Sequence, residues 1–123
     1  MPRTRPSLAL AIVALALSGC GDAGAPVRER DGAFTVTLDD YLIRPQEVRV
    51  PKGRQLRITV VNEGRLGHTF RIASINRNVL RIDTLKPGEQ KTRSFRLAAG
   101  NYRMYCVLAN HEELGMRGSL TVG

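Results

Sequence analysis

The sequence predicts an all-β protein, a Greek-key β-sandwich of seven or eight strands, over residues 33–123. Short apolar segments alternate with polar residues in a period of two, as in residues 34–38 (FTVTL), which is the pattern of a half-buried strand. Turn-forming sequences such as 51–53 (PKG) and 86–88 (KPG) separate these segments. The chain of 123 residues is long enough for one domain with one hydrophobic core.

Eight segments carry the strand pattern, and short strands at this spacing are typical of a Greek-key sandwich. In chain order they are residues 34–39, 47–50, 55–62, 68–72, 79–85, 90–97, 101–106 and 118–122. No helical pattern of three turns is present, and a short helical turn is expected at residues 74–78.

The first twenty residues carry a different pattern. Arg3 and Arg5 precede an apolar run at residues 8–17 (LALAIVALAL), which leads into residues 17–20 (LSGC). Because about 20 apolar residues are needed to span a bilayer, this run fits the core of a signal peptide better than a membrane span. A short anchor helix that stays attached is the alternative. The LSGC sequence resembles the bacterial lipobox, which implies cleavage before Cys20 and a diacylglycerol on its thiol.

The chain therefore divides into a lipoprotein signal peptide (1–19), a flexible tether from lipidated Cys20 (20–32) and the domain (33–123). Cleavage removes two of the 19 basic residues, so that 17 face 11 acidic residues, a formal charge of +6. A flexible tether of this length reaches about 20 Å on average. We expect an extracytoplasmic protein anchored by lipid to a bacterial membrane, on its periplasmic or cell-surface face.

The last quarter of the chain holds the residues that carry chemistry. If Cys20 carries lipid, Cys106 is the one cysteine left, and a lone cysteine in an exported domain is buried and inert, reactive, or bound to a metal. His111 and Met116 follow Cys106 in the spacing C-x4-H-x4-M. The one other histidine, His68, begins a predicted strand after a glycine-containing turn.

These four side chains together favour a metal site, although each alone would be read as an ordinary core or surface residue. Soft sulfur ligands with imidazole suit copper, and two histidines and a cysteine with a weak axial methionine form the blue-copper arrangement. Zinc also binds cysteine and histidine but has little use for methionine. We predict one copper ion, cycling between Cu(I) and Cu(II), with the ligands His68, Cys106, His111 and Met116.

Residues 100–106 (GNYRMYC) resemble the penultimate strand of plastocyanin- and azurin-like cupredoxins. Residues 106–122 (CVLANHEELGMRGSLTV) resemble their ligand loop and final strand, and residues 60–70 (VVNEGRLGHTF) resemble the segment of the first histidine ligand. The resemblance implies a β-sandwich, one type 1 copper and outer-sphere electron transfer. It also implies a tyrosine corner at Tyr102 and an aromatic residue beside the cysteine at Tyr105.

Two positions depart from the family pattern. Thr69 stands where many cupredoxins have an asparagine that braces the ligand loop, and residues 109–110 (AN) stand where many have Pro-Gly. Such positions tune a metal site more than they create it, so the departures leave the reduction potential open but not the ligands.

No enzymatic activity is expected. A dinuclear copper site needs a second cysteine, multicopper oxidases and copper nitrite reductases need more than two histidines, and a Ser-His-Asp set has no free histidine. The basic residues are scattered without an aromatic platform, which argues against nucleic acid as a partner. The positive charge favours acidic redox partners or an anionic membrane surface.

Two functions remain open for what we expect to be a monomer. The first is a carrier that shuttles electrons between extracytoplasmic redox partners at the membrane surface, through an apolar surface at His111 formed by Leu108 and Leu114; burial of these two leucines under the loop is the alternative. The second is copper storage, delivery or resistance without electron transfer. The mature chain lacks clusters of Met or His, which favours the carrier.

Overall fold

In the computed structural model, which describes residues 25–123, ten strands form two facing sheets. The strands are β1 (Val27–Arg28), β2 (Ala33–Asp39), β3 (Leu42–Arg44), β4 (Glu47–Val50), β5 (Leu56–Asn62), β6 (His68–Ala73), β7 (Asn78–Leu85), β8 (Gln90–Phe95), β9 (Gly100–Tyr105) and β10 (Arg117–Val122). One sheet has the order β1-β4-β10-β9-β6-β7 and the other the order β3-β2-β5-β8. One helical turn, α1 (His111–Leu114), lies between β9 and β10.

The core lies between the two sheets. In β2, Phe34, Val36 and Leu38 are buried while the residues between them face outward, as the period-two pattern predicts. Strand β6 is buried along its whole length. Both sheets contain parallel as well as antiparallel pairs. In the first sheet, β4 pairs in parallel with both β1 and β10, and in the second sheet, β2 pairs in parallel with β5. The predicted all-β sandwich is therefore confirmed.

All eight predicted strands are present, but the predicted helical turn at residues 74–78 is wrong. There the N–H of Ser74 donates to the carbonyl of Arg77 (2.9 Å), which is the reverse of the helical direction and closes a bend between β6 and β7. Strands β1 and β3 were not predicted, because two or three residues are too few to show a period.

The folded domain begins earlier than residue 33. Val27 and Arg28 pair in parallel with Val48 and Arg49, and the next N–H, that of Glu29, donates to the carbonyl of Arg49 (2.9 Å). Backbone pairing therefore holds part of the expected tether against the sheet. The signal peptide and Cys20 lie outside the described residues. Within residues 25–123, no helix is long and apolar enough to cross a membrane.

Strand pairing gathers the predicted ligands at one end of the sandwich. Strand β9 runs antiparallel to both β6 and β10. The start of β6, the end of β9 and the start of β10 therefore lie at the same end of the sheet. Tyr105 at the end of β9 lies opposite Arg71 on β6 and Arg117 on β10. We call this end of the sandwich the ligand pole.

Candidate metal centre

Three predicted ligands meet at the ligand pole. His68 is the first residue of β6, Cys106 follows β9 directly, and His111 is the first residue of α1. Their donor atoms all lie within 4.8 Å of one another. The Nδ1 atoms of the two rings are 3.3 Å apart, and Cys106 Sγ lies 3.7 Å from His111 Nδ1. His68 and Cys106 are buried and His111 is half-buried.

The spacing of these donors fits a single transition-metal ion. With bonds of about 2.0–2.3 Å, as zinc makes to nitrogen and sulfur, three donors in a trigonal plane stand about 3.5–4 Å apart. Of the observed separations, 3.3 Å lies just below that range and 3.7 Å lies within it. Two imidazole nitrogens and one thiolate are the strong ligands of the trigonal copper sites that transfer electrons.

Met116 closes the ligand loop, and its side chain is fully buried. Its N–H donates to the carbonyl of His111 (2.9 Å), and its carbonyl accepts the N–H of Cys106 (3.2 Å). The backbone therefore ties Met116 directly to the two other predicted ligand residues of the loop, His111 and Cys106.

The loop itself is tightly turned. The N–H of His111 donates to the carbonyl of Leu108 (3.0 Å), and Ala109 between them adopts a positive φ of 42°, a conformation that residues other than glycine adopt only where the surroundings require it. Gly115 has a φ of 131°, and a Cβ there would lie 2.4 Å from the carbonyl oxygen of Tyr41. The close approach of Tyr41 to the loop thus requires glycine at position 115.

Thr69 braces the loop although it is not the asparagine of many cupredoxins. Its hydroxyl accepts the N–H of Val107 (3.0 Å) and lies 3.5 Å from Cys106 Sγ. One short side chain therefore links β6 to the residue after the cysteine and contacts the sulfur itself.

A turn that the sequence did not assign to the site contacts both histidines. Asp40, between β2 and β3, places Oδ1 2.9 Å from His68 Nε2. The ring of the next residue, Tyr41, lies edge-on to His111, with 5.5 Å between the ring centroids. Two hydrogen bonds hold the pKa of Asp40 below its ordinary value. The bond from the backbone N–H of Arg65 has the larger effect, and the bond from the His68 ring has the next largest. The sequence marks this segment only as a polar break between strands.

The residues around His111 expose apolar surface. Leu114 is 51% exposed, whereas Leu108 packs partly buried against the core, so of the two alternatives exposure holds for Leu114 and burial for Leu108. Three further large apolar side chains near the ligands are exposed: Tyr41, Leu66 and Val107. Glu112 in α1 forms an ion pair with Arg103, which offsets one of the two acidic charges beside His111.

The aromatic residues of β9 have partners. The Tyr102 hydroxyl donates to the carbonyl of Ala98 (2.7 Å), four residues upstream, as a tyrosine corner does. The Tyr105 hydroxyl donates to Asn78 Oδ1 (2.8 Å), and the Arg103 guanidinium lies 4.5 Å from the Tyr105 ring centroid.

Comparison with protein families decides the identity of the fold. The cupredoxin-like domain family matches residues 7–122. This chain belongs to the cupredoxin-like family. No curated protein matches the sequence. The cofactor of this cupredoxin is copper, for which His68, Cys106 and His111 form a single site.

Solved structures share the fold of this cupredoxin. Auracyanin from the photosynthetic bacterium Roseiflexus castenholzii aligns with a TM-score of 0.70 at 18% identity, over 77% of this chain and 99% of that one. Auracyanin B aligns with a TM-score of 0.67 at 18% identity, over 80% and 91% of the two chains. Rusticyanin from Thiobacillus ferrooxidans aligns with a TM-score of 0.65 at 17% identity, over 78% and 80%.

Proposed function

We propose that this cupredoxin is a type 1 copper protein that carries single electrons between extracytoplasmic redox partners at a membrane surface. The observation that carries the proposal is the set of two imidazole rings and one cysteine sulfur whose donor atoms lie within 4.8 Å of one another at the ligand pole. Copper at such sites transfers electrons without binding substrate. The similar structures include reduced auracyanin and the copper protein rusticyanin, in agreement with this role.

The chain's own contribution is to hold the donors still. A copper ion bound here supplies a one-electron couple between Cu(II) and Cu(I). The backbone bonds of Met116 to His111 and Cys106, and the Thr69 hydroxyl on Val107, resist movement of the loop when the charge of the ion changes. A site that moves little exchanges an electron at little cost in rearrangement.

Met116 is proposed as the weak axial ligand. The backbone bonds at 2.9 and 3.2 Å hold this residue beside His111 and Cys106, and its thioether is shielded from water. A thioether at a long distance is the usual fourth ligand of a trigonal copper site.

Electrons are proposed to pass through the half-buried ring of His111. Leu114, in the same helical turn, and Tyr41, whose ring lies edge-on to His111, add exposed apolar surface beside this exit, which allows a partner to approach closely. The positive charge of the chain favours acidic partners, whose encounter it steers through electrostatic attraction. The carrier is proposed to act as a monomer.

Copper storage or delivery is less well supported. Of the three methionines of the chain, Met1 belongs to the predicted signal peptide and Met104 lies fully buried in the core of β9. Met116 is therefore the one methionine offered to a metal, which leaves no cluster of sulfur donors for holding additional copper.

Substitution of Met116 by leucine tests this function. Leucine has nearly the same volume, so the core is expected to lose less than about 1.5 kcal/mol of stability. The variant should keep the intense visible band, and its reduction potential should rise because a donor that favours Cu(II) is gone. Voltammetry and visible spectra of the copper-loaded wild-type and variant proteins measure both effects.

Met104→Leu is the matched control, because it makes the same change at a buried methionine within β9. Its potential should stay at the wild-type value. Loss of copper from Met116→Leu, with copper retained by Met104→Leu, would make Met116 a principal ligand and would favour a copper(I) delivery site over a carrier.

The membrane location is proposed to depend on a lipid at Cys20. Seven backbone steps separate Cys20 from Val27, the first residue of β1, and a fully extended chain covers at most about 25 Å over that length. A lipid at Cys20 would therefore keep the domain within reach of partners in the same membrane.

Cys20→Ala is expected to move the protein from the membrane fraction to the soluble fraction with an unchanged visible spectrum. Mass spectrometry of the wild-type amino terminus should show a diacylglyceryl group on Cys20. Cys106→Ser, which removes the other cysteine, should stay in the membrane fraction. A soluble wild-type protein with an unmodified amino terminus upstream of Cys20 would contradict the anchor.

A further inference from the structure

The outer nitrogen of the His68 ring is bonded to a carboxylate rather than to water. His68 is fully buried, its Nδ1 faces the other donors, and its Nε2 lies 2.9 Å from Asp40 Oδ1. With Nδ1 used for the metal, Nε2 carries the hydrogen and donates it to Asp40. A carboxylate in this place fixes the tautomer and the orientation of a metal-binding histidine and makes the ring a stronger donor.

The surroundings of Asp40 hold its carboxylate in this position. The backbone N–H groups of Arg65 and Leu66 donate to the same carboxylate, at 3.0 and 3.1 Å. Gly64 adds a requirement for space, since a Cβ at this position would lie 2.4 Å from Asp40 Oδ1 and 2.9 Å from His68 Nε2. The β5–β6 loop is therefore shaped so that the carboxylate and the ring can meet.

We infer that Asp40 is a positioning residue of the copper centre, which orients His68 through its Nε2–H and whose negative charge favours Cu(II) over Cu(I). This inference rests on the proposed electron-transfer function. The charge stands one imidazole ring from a metal bound at Nδ1, and no water enters between them because that ring is fully buried, while the carboxylate itself is partly exposed. Asp40 therefore lowers the reduction potential of the carrier.

A purely structural role for Asp40 makes a different prediction. If Asp40 only tied the β5–β6 loop to the β2–β3 turn, an amide that accepts the same N–H groups would leave the potential unchanged. Asp40→Asn keeps an oxygen acceptor for His68 and for the loop but removes the charge, so this variant separates the two roles.

The test is voltammetry of the full-length, copper-loaded protein with Asp40→Asn. Partners of metal-binding histidines are worth 10- to 100-fold in metal affinity. We expect the preference for Cu(II) over Cu(I) to fall about tenfold, which corresponds to a rise in potential of about 59 mV for one electron. In Asp40→Ala, the slowly exchanging Nε2–H resonance of His68 in the Cu(I) protein should also disappear from the proton NMR spectrum.

Asp39→Asn is the matched control. Asp39 is the neighbouring residue, and it pairs with Arg44 rather than with a histidine. It therefore reports the effect of losing one negative charge from this turn, and we expect less than a twofold change in the preference for Cu(II). Gly64→Ala should raise the potential as Asp40→Asn does, because the added methyl group would separate the carboxylate from the ring.

The outcomes distinguish this inference from the proposed function. A wild-type protein without the visible band or a reversible one-electron response would overturn the function itself. A normal wild-type protein in which Asp40→Asn shifts the potential no more than Asp39→Asn would overturn the role of Asp40 alone.

Discussion

Replacement of Cys106 by serine is expected to abolish the visible colour of the copper-loaded protein. The wild-type protein should be blue or green, because charge transfer from a thiolate to Cu(II) produces an intense band, and a serine hydroxyl offers no thiolate at neutral pH. The residue is 1% exposed, so the buried hydroxyl should also cost about 1–3 kcal/mol of stability. Visible absorption and denaturant unfolding of both proteins measure the two effects.

The other cysteine provides the control for Cys106→Ser. Cys20→Ala removes the other of the two cysteines, yet it should keep the full band, which would exclude a general effect of cysteine loss. Circular dichroism should show that Cys106→Ser still folds. A copper(II)-loaded wild-type protein without colour would refute the type 1 site.

Leu114→Glu is expected to slow electron exchange between Cu(I) and Cu(II) copies of the protein at least tenfold. If electrons leave through His111, as proposed, exchange requires two His111 faces to meet, and Leu114, 51% exposed in the same helical turn, lies within that face. Each encounter would then bring together two added carboxylates in a contact that excludes water, and juxtaposed like charges cost several kcal/mol. NMR line broadening in mixtures of the two oxidation states measures the exchange rate without a known partner.

Ile75→Glu is the matched control for this experiment. It changes the net charge by the same amount, but Ile75 is 97% exposed and lies beyond the end of β6 that is opposite to His68. Because the six residues of β6 lie between them, Ile75 is about 20 Å from the ligand pole. Its exchange rate should stay within twofold of wild type. Equal slowing in both variants would mean that net charge, not the His111 face, limits the reaction.

The ligand set could be predicted from the sequence because the chemistry of the residues restricts it strongly. With two histidines in the chain and one cysteine besides Cys20, few combinations could form a site. Cys106, His111 and Met116 lie in one short loop, so their proximity follows from covalent connection. The structure then brings His68 to within 3.3 Å of His111, through the antiparallel pairing of β6 with β9.

The strands could be predicted where apolar and polar residues alternate over four or more positions. Strands β1 and β3 were missed because backbone pairing, rather than any side-chain period, forms them. The turn α1 was missed for a similar reason, since its four residues contain no buried side chain to reveal a helical face.

The fold class, the nature of the metal and the residues able to bind it follow from the amino-acid sequence, because the alternation of apolar and polar residues and the chemistry of the donors are local properties of the chain. The tertiary structure alone decided which other groups touch those ligands. Asp40 meets His68 across 28 residues, and the Thr69 hydroxyl meets the N–H of Val107 across 38. Contacts of this kind depend on how strands from distant parts of the chain are placed side by side, and no spacing within the sequence records that placement.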